Sequence, residues 1–280
     1  MTRFIALYAF HKLSSLSLHR LRNLKKMNPN VTFIPFFGIR QKIYFPTLID
    51  LKYPSIKILN LSFLKFKSIY KLSYIVNKNV ESFRRKKEIN FICNTLQSFG
   101  ANLYCDYTPM GYFNQDLAIL NWFSSEGKNL DFDFLIFFEY DMFATKTIES
   151  LYSKYTNYDA GFVNYGEAKS PWYWYGNPPG ARESILQWLE NRGLRPRLYR
   201  GLFAGHMVSR EVLMCLKKTS LPHGFCEMRW PSVITGMGFQ CANLDFPMVR
   251  YGNLISKSDI IANRRLGLFH PVYENLEGAV

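Results

Sequence analysis

The apolar run FDFLIFFEYDMFAT, residues 132–145, is broken by two carboxylates one residue apart, Glu139 and Asp141. Two anions this close repel each other, and on one face they are costly unless something positive lies between or beside them. Alternate side chains of a strand share a face, so an extended chain points both carboxylates one way and Tyr140 the other. Hard oxygen donors in that arrangement suit Mg2+ or Mn2+. Two simpler roles fit the spacing as well: solvated residues opening a turn before Met142, or Asp141 capping a following helix. In open α/β sheets ligands collect beyond the carboxyl ends of the strands, where this pair stands in its segment.

The elements that must position the pair alternate between strand and helix. RFIALYAF (3–10) has the unbroken apolar pattern of a buried strand, LSLHRLRNLKKM (16–27) has the helical spacing of Leu16, Leu21 and Leu24, and VTFIPFFGI (31–39) returns to strand. Over 40–80, Pro46 and Pro54 break the pattern and the apolar residues fit neither period. Arg84 to Phe99 reads as a helix stopped by Gly100, ANLYCDY (101–107) as a short strand, and NQDLAILNWFSS (114–125) as a buried helix with Asn114 as its N-cap. TIESLYSKY (147–155) is then helical and YDAGFVNY (158–165) a strand. This order predicts an α/β fold, a single domain with a mostly parallel twisted sheet flanked by helices. Beyond Tyr165 the pattern changes. SPWYWYGNPPG (170–180) reads as an aromatic loop, GLFAGHMVSREVLMCL (201–216) as a glycine-bearing turn entering a helix, WPSVITGMGFQ (230–240) as a short helix with Pro231 in its first turn, and 249–273 as loop.

With 280 residues, of which 48% are hydrophobic, the chain can fill a sizeable core. No apolar stretch reaches the ~18 residues of a membrane span, and MTRFIALYAFHKLSS lacks the apolar centre and cleavage site of a signal peptide, so the expected location is cytoplasmic. Five cysteines (93, 105, 215, 226 and 241) show no metal-ligand spacing and read as free thiols. The net charge of +14 is concentrated in residues 52–90, where aromatic and aliphatic residues separate ten cations and only Glu81 and Glu88 oppose them. Such a segment suits an anionic membrane surface or nucleic acid; a solvated helical face is the alternative. There is no G-x-x-x-x-G-K-[ST] loop and no G-x-G-x-x-G after the first strand, which argues against NTPase and dinucleotide dehydrogenase chemistry.

An apolar strand that ends in an acidic pair closing on Asp resembles the DxD element of the GT-A-fold, family 2-like, nucleotide-sugar-dependent glycosyltransferases. In that family the last Asp coordinates the metal that holds the donor's diphosphate. The β-α-β opening is similar to their nucleotide-binding half, GLFAG with SREVLMCL to the turn and helix after the metal strand, EMRWPSVITGMGF (227–239) to their acceptor-side segment, and LFHPVY around His270 to the late histidine of the metal site. Here the first acidic position is Glu139 rather than Asp, and the 40–90 region is longer and more basic than the fold requires.

The resemblance implies one GT-A-like domain: residues 1–165 as the nucleotide-sugar-binding half, with a basic segment at about 40–90, and 166–280 as the acceptor-binding half. It implies a metal-dependent transferase moving sugar from a nucleoside-diphosphate sugar to a glycan or lipid-linked glycan, in cell-surface polysaccharide or lipopolysaccharide synthesis. Asp141 and His270 would bind Mn2+ or Mg2+, Glu139 would join them directly or through water, and imidazole beside carboxylate favours Mn2+. Glu227 would be the base for direct, inverting attack, held ionised by a helix dipole, with an ion pair to Arg229 as the structural alternative. A retaining mechanism would not need it.

Asp106 would meet the base or ribose, or serve a turn. Gly205 would let backbone approach the sugar, and His206 would reach the acceptor or fill a turn as a buried imidazole. Trp174, with Trp172, Tyr173 and Tyr175, would form an acceptor lid, or simply pack. The basic segment would hold the enzyme at the inner face of the membrane, and no nucleic acid partner is expected. A different class, a basic α/β protein binding nucleic acid or an anionic membrane without catalysis, is separated from this one by the absence of donor hydrolysis.

Overall fold

The computed structural model describes residues 2–10, 15–38, 103–104, 115–177, 180–252 and 254–274. The basic segment, the helix expected over 84–99, the Asn114 cap and Asp106 lie outside them.

The chain opens as expected: β1 (Phe4–Phe10), α1 (Ser15–Met27) and β2 (Thr32–Gly38) form a β-α-β unit whose strands pair in parallel from Ile5↔Thr32 to Phe10↔Phe37. β1 is apolar at every position because both its faces are covered: Ile5, Leu7 and Ala9 enter one core, and Phe4, Ala6 and Tyr8 the other. A short β3 (Leu103–Tyr104) adds to β2. β4 (Phe134–Glu139) pairs in parallel with the other edge of β1 and alternates likewise, Leu135 and Phe137 to one side and Phe134, Ile136 and Phe138 to the other.

β6 (Ala160–Glu167), β7 (Tyr199–Ser209) and β8 (Cys241–Leu244) complete a seven-stranded sheet of order β3-β2-β1-β4-β7-β6-β8. Among the described strands of this sheet, only β7 runs against the rest. A second sheet of two short antiparallel strands, β5 (Phe143–Ala144) and β9 (Leu268–Phe269), lies beyond the end of β4.

Helices cover both faces. Leu21 and Leu24 of α1 and Ile148 and Leu151 of α3 (Ile148–Tyr152, capped by Thr147) pack on one. On the other lie α2 (Gln115–Ser125), α4 (Ala181–Glu190), α5 (Arg210–Leu216, capped by Ser209) and α6 (Cys226–Gly236), with Trp122, Ile185, Leu213 and Trp230 in one cluster with Leu7, Leu135 and Phe137. The molecule is thus a mixed α/β protein with a mostly parallel sheet flanked by helices. Among the described residues no helix is long and apolar enough to cross a membrane, and Cys215, Cys226 and Cys241 are free thiols.

Three expectations for the second half are corrected. GLFAGHMVS is no turn but most of the eleven-residue strand β7. Its glycines serve packing and a bulge: a Cβ on Gly201 would lie 2.4 Å from Cβ of Phe162, and Gly205 has φ +73° where the β6–β7 ladder skips from Met207 to Leu202. The helix α4 follows the aromatic loop, with Ala181, Ile185 and Leu189 recurring at helical spacing on its buried face. α6 begins at Cys226, so Pro231 stands inside the helix and withholds the N–H that the Glu227 carbonyl would otherwise accept. Finally, 249–273 is not all loop: it holds α7 (Lys257–Ala262), with a Ser256–Asp259 capping box, and β9.

Candidate active site

β4 ends at Glu139, and the Met142 amide donates to the Glu139 carbonyl at 3.0 Å, closing a turn over Tyr140 and Asp141. The two carboxylates therefore converge through this turn and not through continued strand alternation. The β5–β9 pairs Phe143↔Phe269 and Ala144↔Leu268 then bring the far end of the chain alongside. His270 follows β9 directly and is fixed from three sides: its amide donates to the Met248 carbonyl (2.9 Å), its carbonyl accepts from the Arg250 amide (3.1 Å), and the Val272 amide donates to the Asp141 carbonyl (2.8 Å).

Its Nε2 lies 3.2 Å from Oε2 of Glu139 and 3.5 Å from Oδ1 of Asp141. One donor atom from each of Glu139, Asp141 and His270 falls within 4.8 Å of the others, and all three residues are buried. A carbonyl can only accept, so Nδ1 of His270, 3.0 Å from the Arg250 carbonyl, carries a proton and Nε2 faces the carboxylates. Oε1 of Glu139 accepts from Nε2 of Gln115 at 3.1 Å. Oδ1 of Asp141 is buried and has no hydrogen-bond partner.

The electrostatics are those of a site short of positive charge. Burial, and then the charge of Glu139, push the Asp141 carboxyl above its ordinary value. For His270 burial disfavours the imidazolium, but the hydrogen bond and charge of Glu139, helped by Asp141, outweigh it and raise the group to about 9. Two carboxylates, one of whose oxygens makes no hydrogen bond, and an imidazole with its outer nitrogen tied to a carbonyl form a donor set that fits a divalent cation.

Glu227 lies in the first turn of α6 rather than before a helix, and it is 1% exposed. Its Oε1 accepts from the Phe203 amide at 2.9 Å and from the Tyr251 hydroxyl at 2.5 Å, whereas Oε2 is buried without a partner. Burial pushes the carboxyl up to about 8, against the two hydrogen bonds that favour the anion. The expected ionisation by the helix dipole is corrected here: desolvation of a fully buried carboxyl outweighs the fraction of a unit charge at a helix end. The alternative partner Arg229 is committed elsewhere. Its guanidinium forms a two-pronged pair with buried Asp116 and donates to the carbonyls of Pro222 and Gly224. Tyr251 joins the two halves of the site, with its hydroxyl on Glu227 and its ring edge-on to His270 at 5.7 Å.

The remaining candidates stand apart from this cluster to different degrees. His206 is a fully buried imidazole, stacked on Phe137 and Phe162, with Nδ1 donating to the Phe203 carbonyl at 2.6 Å; burial depresses it to about 4. At Gly205 a Cβ would meet Met142, Leu268 and the Tyr152 hydroxyl, so the space beside its Cα is filled by core side chains. Trp174 is half-buried and packs on Phe225, the residue before α6, at 4.1 Å between ring centroids. Asp106 lies outside the described residues. Sequence reasoning missed Gln115, Tyr251 and the Arg250 carbonyl, none of which carries a local signal, since each matters only through what the fold sets beside it.

No protein-family model matches the chain, and no curated protein is significantly similar to it in sequence. Solved structures with a distant likeness include A197 from STIV, at 9% identity and a TM-score of 0.31 over 86% of this chain and 81% of that one. They also include an active-site mutant of LgtC, at 9% identity and a TM-score of 0.36 over 93% of this chain and 78% of that one. Likenesses this distant bear on no function, and what the chain does must be read from its own residues.

Proposed function

We propose that the protein is a divalent-metal-dependent glycosyltransferase of GT-A-like architecture that moves a sugar from a nucleoside-diphosphate donor to a hydroxyl of a glycan or lipid-linked glycan. The observation that carries this reading is the buried cluster of Glu139, Asp141 and His270 at the carboxyl end of a parallel strand, with the buried carboxyl of Glu227 linked to it through Tyr251. Glu139, Asp141 and His270 would hold Mn2+ or Mg2+, which when bound supplies the positive charge that a departing diphosphate needs.

The chain's own groups do the rest. Gln115 and the Arg250 carbonyl orient Glu139 and His270. Glu227 takes the proton: as the acceptor oxygen bonds to the anomeric carbon and the bond to the diphosphate breaks, the hydroxyl proton passes to Oε2, the oxygen left without a partner. A carboxyl near 8 is a stronger base than an ordinary glutamate, though it is ionised in only a minority of molecules at neutral pH. The packing of Trp174 on Phe225, beside the start of α6, supports an acceptor-side role for the aromatic loop.

A thermal-shift panel of sugar nucleotides with and without Mn2+ tests the reading, since stabilisation grows with ligand concentration over affinity. One donor class should stabilise the protein only with Mn2+, and release of nucleoside diphosphate should follow on adding acceptor. Asp141→Asn should abolish the metal-dependent shift, and near-normal donor binding in that variant would reject the assignment. A protein that releases no nucleoside diphosphate from any sugar nucleotide is a binding module instead.

A further inference from the structure

We propose that Tyr251 is a positioning residue for Glu227: its hydroxyl, together with the Phe203 amide, fixes Oε1 and leaves Oε2 as the oxygen that takes the proton. This rests on the reading of Glu227 as the base. Where the β6–β7 ladder skips from Met207 to Leu202, the bulge leaves the Phe203 amide to a side chain, and Glu227 takes it. The second donor comes from another part of the chain. Tyr251 follows the bridge between Val249 and His270, so the backbone pairing that delivers the imidazole to the carboxylates also delivers the phenol to Glu227. Two donors at 2.9 and 2.5 Å on one oxygen hold the carboxyl against turning about its last bond more firmly than either alone.

Tyr251 is 39% exposed and Glu227 is 1% exposed, so the tyrosine reaches from the surface to a buried carboxyl. The charged groups acting on Glu227 are Glu139, which disfavours its anion, and His270, which favours it; buried Cys226 adjoins it in sequence and senses its charge. The tyrosine's hydrogen bond favours the anion, so its removal should be legible in the titration.

Tyr251→Phe in the 280-residue chain keeps the ring against His270 and deletes only the hydroxyl. The first readout needs no activity: the 13C NMR titration of the Glu227 carboxyl, identified by its loss in Glu227→Gln. Its midpoint should rise by about one pH unit in Tyr251→Phe, the scale of one hydrogen bond to a charged group. The second readout is kinetic. The ascending limb of the kcat profile should move by the same amount, kcat at neutral pH should fall on the order of tenfold, and donor KM should hold within about twofold. An unmoved midpoint overturns the proposal, as does a variant that changes only donor KM, which would make Tyr251 a substrate contact. If the midpoint moves but the wild type transfers no sugar, the hold of Tyr251 on Glu227 stands and the sugar-transfer reading falls.

Discussion

Replacing Glu227 by Gln should remove a pH dependence from the stability of the whole protein. The buried carboxyl keeps its proton up to about 8 when folded, whereas in the unfolded chain it returns to its ordinary 4.5. Between those values the unfolded state binds fewer protons, so rising pH favours unfolding: the folded-state advantage of the neutral form is intact below 4.5 and is lost progressively toward 8. One pH unit of that window is worth about 1.4 kcal/mol, so on the order of 4 kcal/mol of wild-type stability should drain away from pH 5 to pH 8 through this one group. The Gln variant has no such proton. Urea unfolding of both proteins at half-unit steps from pH 5 to 8.5, with chelator present, should give stability differences that climb steadily in favour of the variant. Other titrating groups appear in both proteins and largely cancel. Parallel stability curves would show that Glu227 ionises normally in the fold, and the account of it as a desolvated base would be refuted.

The same substitution should leave metal-dependent donor stabilisation intact while lowering transfer on the order of 10²-fold or more, measured as product per enzyme with saturating donor; undiminished transfer would place the base elsewhere. Gln115→Ala removes the hydrogen bond to Oε1 of Glu139, and Mn2+ affinity by titration calorimetry should fall about 10- to 100-fold, the usual effect of losing a residue that orients a metal ligand. Arg229→Ala leaves Asp116 buried and unpaired, and urea unfolding should register a loss of about 3 to 5 kcal/mol; a loss under 1 kcal/mol would mean that water reaches Asp116.

The sequence by itself determined the layered fold of the first half. FIALYAF, and FLIFF before Glu139, are apolar at every position because a parallel strand between two helical layers has no wet face, and that pattern is local and easily read. Glu139 and Asp141 were legible for the same reason, since charge at the end of such a run stands out. The second half was harder because its signals are ambiguous one at a time. Gly201 and Gly205 read as a turn when they mark close packing and a bulge in a strand, and Pro231 reads as a helix start when it stands inside one.

Tertiary structure alone decided which groups act on one another. Asp141 and His270 are separated by more than a hundred residues of chain and are joined by a sheet of two residue pairs. Arg229, two residues from Glu227, pairs instead with Asp116, while Tyr251 supplies the contact that Arg229 might have been expected to make. Glu227 is raised to about 8 because the fold removes water from it, a quantity that depends on every neighbour in space and on almost none in sequence.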